Sequence, residues 1–463
     1  MYFKFQHFIE YIYFSQAPYL YISIGLLILF GLLLSIGRRF ESALVLERLG
    51  IPIALLLGTI ALLIGPFGLI TLLPEGVTNI WRSLPTPLLA LVFASLMLGK
   101  PLPKVNEILE PVTNQALLGL LLGFGQYLVG GLAVLFILIP LLDVNPLMGC
   151  LIEVGFEGGH GAASVMGESF QRIGYSKGLD LGLAMATIGL LSSTIVGSLL
   201  VIIGRIFGWV IPSESNIKNY QVEGQPLSTS KQLQVLSINL ALLGFAVIIG
   251  VFLLEIIRIV GTFFGGNIQE VTSLLPVFPF ALIGSLMVRY FLEIFNQTDL
   301  VAEILQREIG ILSTDLLIVT AMAGLDLPLL VRNWLPIAVL SFVGLSWNLL
   351  GMFLFGKICF QDKWFVRSIV EFGNATGVAA TGLLLLRLSD PTDKTNTLPI
   401  FSIKQLCLQP FLSGGLITVI APLVITNIGL IGWTELSGLL TILFLIIAVL
   451  LRKRSLFNPL SVN

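Results

Sequence analysis

What most constrains this chain is the recurrence, from end to end, of apolar runs long enough to span lipid. A helix needs about 20 such residues to cross a hydrocarbon core. In hydrocarbon a backbone N–H or C=O finds no water, so a run of this kind crosses as a helix. The charge content agrees. Only 11% of residues are Asp, Glu, Lys or Arg, 56% are hydrophobic, and the mean hydropathy is +0.98. A soluble fold of that composition would expose large apolar patches and aggregate. The chain therefore reads as an all-α polytopic membrane protein. Its net charge of −1 excludes a basic nucleic-acid binder. Three scattered cysteines without a CxxC exclude a disulfide framework or thiolate metal site. Two histidines, His7 and His160, exclude multi-histidine metal catalysis, and no organic cofactor is implied. Lys4 is the only early positive charge, Glu10 follows, and no small-x-small site closes the first apolar run, so the N-terminus does not read as a cleaved signal.

Apolar runs predict spans at 18–36, 51–73, 84–99, 114–141, 180–204, 233–257, 273–291, 310–325, 334–356, 400–427 and 434–451. The polar stretch 212–232 is expected to be a cytoplasmic linker. Segments 146–170 and 364–388 are interrupted by glycine clusters and read as re-entrant loops, because irregular backbone survives at membrane depth only inside protein or beside water. With the N-terminus outside, this topology puts nineteen of the 25 Lys and Arg inside, Lys404 among them, as the positive-inside bias requires. The expected location is the inner (plasma) membrane, with the C-terminus cytoplasmic.

The two halves resemble each other. Phe156, Gly161 and Ala163 recur as Phe372, Gly377 and Ala379 at a constant offset, and the order of spans around each loop is the same. Five spans per half is an odd number, so the second half is expected to lie inverted. Residues 1–211 form the first repeat and 233–430 the second. Residues 431–463 add a further helix and a basic tail. Inverted repeats with discontinuous helices are a signature of secondary transporters. A helix that stops midway leaves N–H groups that suit a carboxylate and C=O groups that suit a hard cation such as sodium.

The run Asn145-Pro146-Leu147-Met148-Gly149, then Gly158-Gly159-His160-Gly161, then 183–190 (LAMATIGL), resembles the bacterial sodium/glutamate symporter family. So do the second loop, 373–381, and the stretch 321–325. The resemblance implies sodium-coupled glutamate uptake, a homodimer, and a moving domain built around the two loops. Gly158, Gly159, His160, Gly161, Thr376, Gly377 and Thr381 are the expected substrate-binding residues. Glu157, Asn374, Asp315 and Thr320 are the sodium candidates. The chain departs from the family pattern at Glu157, where a small polar residue is usual, and at Ala162, where threonine is usual. It also lacks the family's proline near Ala380.

Among other ionisable groups, Glu153 and Glu168 flank the first loop, and intramembrane carboxylates are functional candidates by default. For Glu157 the alternative is a position facing water at the loop mouth. For His160 it is a hydrogen bond to the facing loop, and for Asp315 a solvated helix end. Asn239, Asn348 and Asn427 read as hydrogen-bonding glue between helices. Other readings are a symporter of another small carboxylate or inorganic anion, proton coupling, a channel, and an intramembrane protease using His160 and Ser164. Against an enzyme, no HExxH occurs and the aspartates lack the flanks of membrane aspartyl proteases.

Overall fold

The computed structural model describes residues 19–37, 53–66, 72, 74–99, 109–210, 229–409 and 411–457. The described chain is helical nearly throughout. The first half comprises α1 (Tyr19–Gly37), α2 (Ile53–Leu63), α3 (Glu75–Ser83), α4 (Pro85–Leu98) and α5 (Leu109–Ala133). A π-helical turn, Val134–Leu138, and a last turn, Ile139–Leu142, prolong α5. After a 3-10 turn at Pro146–Cys150 come α6 (Leu151–Gly155), α7 (Gly159–Arg172) and α8 (Gly178–Ile206). The second half comprises α9 (Thr229–Phe264), α10 (Gly266–Leu274), α11 (Phe278–Ile294), α12 (Glu303–Ala323), α13 (Leu327–Arg332) and α14 (Trp334–Cys359). It continues with α15 (Trp364–Ser389), α16 (Thr397–Leu408) and α17 (Leu416–Phe457).

Among the described residues, eight helices are long and apolar enough to cross a membrane, fewer than the eleven spans expected. Residues 310–325 belong to α12, whose first turns carry Glu303, Arg307 and Glu308. Residues 273–291 correspond to the 17-residue α11. Of 51–73, the described helix is the 11-residue α2. The run at 84–99 starts earlier, because Pro85 opens α4 directly after α3 and the pair reaches from Glu75 to Leu98. The run at 400–427 is two pieces, since the chain leaves helix between α16 and α17 with Ser413 and Gly414 at φ +58° and +92°. The helix expected at 434–451 follows a non-helical break at Gly429, φ +79°, which divides the range given to α17 into two helices. Most of the linker 212–232 and the N-terminal residues 1–18 lie outside the described residues.

Helices α1, α2, α3, α4, α9, α11 and α12 pack as one group, with Trp81 of α3 donating to Ser23 of α1 at 2.7 Å. Helices α5, α6, α7, α8, α14, α15, α16 and α17 form a second. The groups meet where α7 touches α4 and α12. Small residues make that seam smooth: a Cβ at Gly161 would lie 2.7 Å from Leu89 of α4 and 3.4 Å from Leu317 of α12.

The second group contains both glycine-interrupted segments. In the first, the arms meet α8 in opposite order. Along α6 toward the break, Val154 lies against Gly182, Gly155 against Met185 and Phe156 against Gly189, whereas along α7 Ala163 returns to Gly182, Gly167 lies against Leu179 and Phe170 against Gly178. In the second, α15 leaves helical geometry at Gly377 and at Val378 (φ +68°, ψ 167°). A Cβ at Gly373 would then lie 2.6 Å from the Cα of Gly382. On a straight helix those residues would be about 13 Å apart, so the arms fold together. Two glycines in apposition permit that approach, and Thr381 fastens it by donating to the carbonyl of Gly373 at 2.8 Å. Gly373→Ala is expected to destabilise the protein by about 1–3 kcal/mol through overpacking. Gly244→Ala, with open space at its Cβ, should leave the thermal midpoint unchanged or raised. Thermal unfolding of the purified protein in detergent measures both.

Candidate functional site

The two breaks touch. Gly159 adopts φ +66°, which glycine tolerates without penalty, and a Cβ there would collide with the Val378 side chain. Val378 itself occupies a backbone region nearly reserved for glycine, a strain of about 1–3 kcal/mol that surrounding packing must hold.

Around this contact runs a buried polar network, and α5 supplies its backing. Gln115, Gly119, Gly123, Gln126 and Tyr127 recur at helical spacing, so they share one face. The two glycines leave hollows. A Cβ at Gly119 would lie 2.7 Å from Lys404 Cε, and one at Gly123 would lie 2.9 Å from Glu157 Oε2. Lys404 of α16 and Glu371 of α15 fill the first hollow as an ion pair at 2.8 Å, with side chains 1% and 0% exposed. Gln115 donates to the other Glu371 oxygen at 2.9 Å, and Lys404 also donates to Gln405 at 2.8 Å. Lys404 was expected among the cytoplasmic charges. It is instead an interior residue, because α16 packs against the α5 glycine face.

Glu153 of α6 accepts from Tyr127 at 2.5 Å, from Thr418 Oγ1 at 2.8 Å and from the Ser413 amide at 3.1 Å. Glu157 is 3% exposed, so it does not face open water. Its Oε1 accepts from Ser413 Oγ at 2.8 Å and from Asn374 Nδ2 at 3.4 Å. Gln405 in turn donates to Asn374 Oδ1 at 2.8 Å. Gln126 and Asn348 both donate to the Ala375 carbonyl, and Asn348 donates to Thr376 at 3.0 Å.

The expected site residues divide. Glu157 and Asn374 come together. Gly158, Gly159, Thr376, Gly377 and Thr381 surround the breaks, but their roles are tightly packed. Gly377 lies against Ser193 of α8, and the carbonyls of Gly373, Gly377 and Val378 all lie within reach of the single proton of the Thr381 hydroxyl. Gly161 faces the other helix group. His160 bonds Thr187 of α8 at 3.0 Å rather than the facing loop, and the Ser164 hydroxyl makes no hydrogen bond to it. Asp315 and Thr320 stand on α12 in the first group, and the Thr320 hydroxyl is bonded to the Leu316 carbonyl at 2.8 Å. The Glu168 side chain is outside the described residues. Asn239 and Asn348 bond between elements as expected, whereas Asn427 bonds only the Leu423 carbonyl of its own helix. Sequence reading missed Gln115, Gln126, Tyr127, Glu371, Lys404, Gln405, Ser413 and Thr418. The available signal was the polar and glycine stripe on α5 and the acid Glu371 inside an apolar run.

Lys404→Met should destabilise the protein severely, by about 3–5 kcal/mol, because Glu371 is left buried without its counter-charge. The double variant Lys404→Met/Glu371→Leu should recover most of that loss. Unfolding midpoints of the single and double variants measure the difference.

A family model described as sodium/glutamate symporter matches residues 21–386. No curated protein matches. Among solved structures, the sodium proton antiporter MjNhaP1 from Methanocaldococcus jannaschii, at pH 8, is 16% identical, with 92% of this chain and 99% of that chain covered and a TM-score of 0.38.

Proposed function

The chain belongs to the sodium/glutamate symporter family, and from that premise we propose that it carries glutamate inward with sodium by alternating access. Membership itself brings sodium-coupled secondary transport and a multi-pass membrane location, and it excludes an enzyme. The finer reading is that 146–172 and 364–389 are re-entrant hairpins of two inverted repeats. They would enter from opposite faces and build the cargo site between them.

One observation carries this reading: Gly159 and Val378, the breaks of the two segments, are in contact beside a buried polar network. Interrupted helices offer backbone N–H groups to the substrate carboxylates and carbonyls to sodium. The glycines at 158–161 and Gly377 let backbone approach a ligand when the hairpins part. Sodium bound first would offset the negative charge around Glu157 and so admit an anion. The smooth seam of α7 against α4 and α12 supports movement of the hairpin-bearing group past the other, an elevator-like step.

A second reading keeps the mechanism and changes the cargo to another small carboxylate or inorganic anion. It is favoured by Glu157, a buried acid where the family pattern has a small polar residue. Liposomes holding the purified protein should accumulate labelled glutamate several-fold more under an inward sodium gradient than under a potassium or proton gradient. Competition by unlabelled carboxylates ranks the cargo. No sodium-dependent accumulation by folded, inserted protein would overturn the coupling.

A further inference from the structure

Three oxygens of the buried network have no partner, the amide oxygens of Gln115 and Gln126 and one oxygen of Glu157, and of these only the last belongs to a carboxylate. Glu157 Oε2 is enclosed and accepts no hydrogen bond. The neighbouring charges are accounted for. Glu371 has Lys404 and Gln115, and Lys404 gives two of its three N–H groups to Glu371 and Gln405. Glu153 is served by three donors. Thr418 must give its proton to Glu153, because its oxygen already accepts from the Gly414 amide at 3.0 Å. A buried carboxyl oxygen without a hydrogen bond is costly as a carboxylate unless a proton or a cation joins it.

The surroundings are built around that oxygen. On one side, the absent side chain of Gly123 leaves α5 open to Oε2. On the other is the turn between α16 and α17, where Ser413 and Gly414 take positive φ. Ser413 holds both acids at once, Glu153 through its amide and Glu157 through its hydroxyl. The hydroxyl's lone pairs remain available to a hard cation. One carboxylate oxygen beside a hydroxyl matches a hard monovalent cation in charge.

We propose that Glu157 Oε2 is the primary ligand of a sodium site closed by the Ser413 turn and by Gly123, and that the turn reports its occupant to the seam between the helix groups. Gly414 lies against Ala162 of α7 and near Phe278 of α11, with a Cβ there 2.8 Å and 3.9 Å from those side chains. A cation drawing on Glu157 therefore also draws on the turn that touches both groups. The choice of sodium rests on the transport reading above. The existence of the site rests on the geometry.

The test is thermal unfolding of the full-length protein in detergent, titrated with sodium chloride against choline chloride at constant ionic strength. The wild type should gain stability with sodium in a saturable way, and potassium or calcium should not substitute. Glu157→Gln should require at least tenfold more sodium for the half-maximal shift, and Glu255→Gln, an exposed acid on α9, should not change it. Should Glu157→Gln fail to fold, Gly123→Ala decides, since it crowds Oε2 without altering charge and should weaken the response by a similar factor. An unchanged sodium response in Glu157→Gln, or in Gly123→Ala, overturns the site, as does a wild type indifferent to sodium. A sodium response that depends on Glu157, with no glutamate uptake in liposomes, would leave the site standing and remove the cargo assignment.

Discussion

A charged or hydrogen-bonding group inside lipid must find its partner within the protein, and the second helix group is organised by that requirement. Three carboxylates, one ammonium and several amides lie buried together. Each is tolerated because a helix wall with two missing side chains makes room for it. The Lys404–Glu371 pair occupies the space over Gly119, and Glu157 occupies the space over Gly123. Replacing such a network by apolar residues is often no less stable. Its presence therefore speaks for a role in ion or solute handling more than for a role in holding the fold together.

The helix breaks meet the same requirement for the backbone. Where α15 turns back at Gly377 and Val378, the Thr381 hydroxyl has one proton to give among the carbonyls of Gly373, Gly377 and Val378, and the Ala375 carbonyl accepts from Gln126 and Asn348. Where the first segment breaks, its backbone bridges the gap, with the Gly158 amide reaching the Glu153 carbonyl at 2.9 Å. Each break is thus irregular yet satisfied, and each carries a left-handed residue that faces the other. Strain of this kind persists where packing over-determines it.

Much of this was legible beforehand. Hydropathy alone marks the chain as helical and membrane-embedded, and the glycine clusters at 158–161 and 373–377 locate both interruptions to within a few residues. Glu157 and Asn374, named separately as sodium candidates, lie side by side. Lys404 was misread because positive charges near helix ends normally sit in the cytoplasm. Nothing local distinguishes a lysine facing solvent from one facing a glycine hollow on a helix nearly 300 positions earlier. The break before α17 was missed because Ser413-Gly414-Gly415 is short and lies inside an otherwise apolar run.

The sequence by itself determined that the chain is a polytopic helical membrane protein, where its helices are interrupted, and which family its motifs resemble. These properties depend on local composition and on the energetic cost of exposing backbone to lipid. Only the tertiary structure decided which polar groups share an interior, that Ser413 bridges Glu153 and Glu157, and that Asp315 and Thr320 stand in the other helix group. Side-chain partnership depends on which helix faces meet, and no single helix encodes the face of its neighbour.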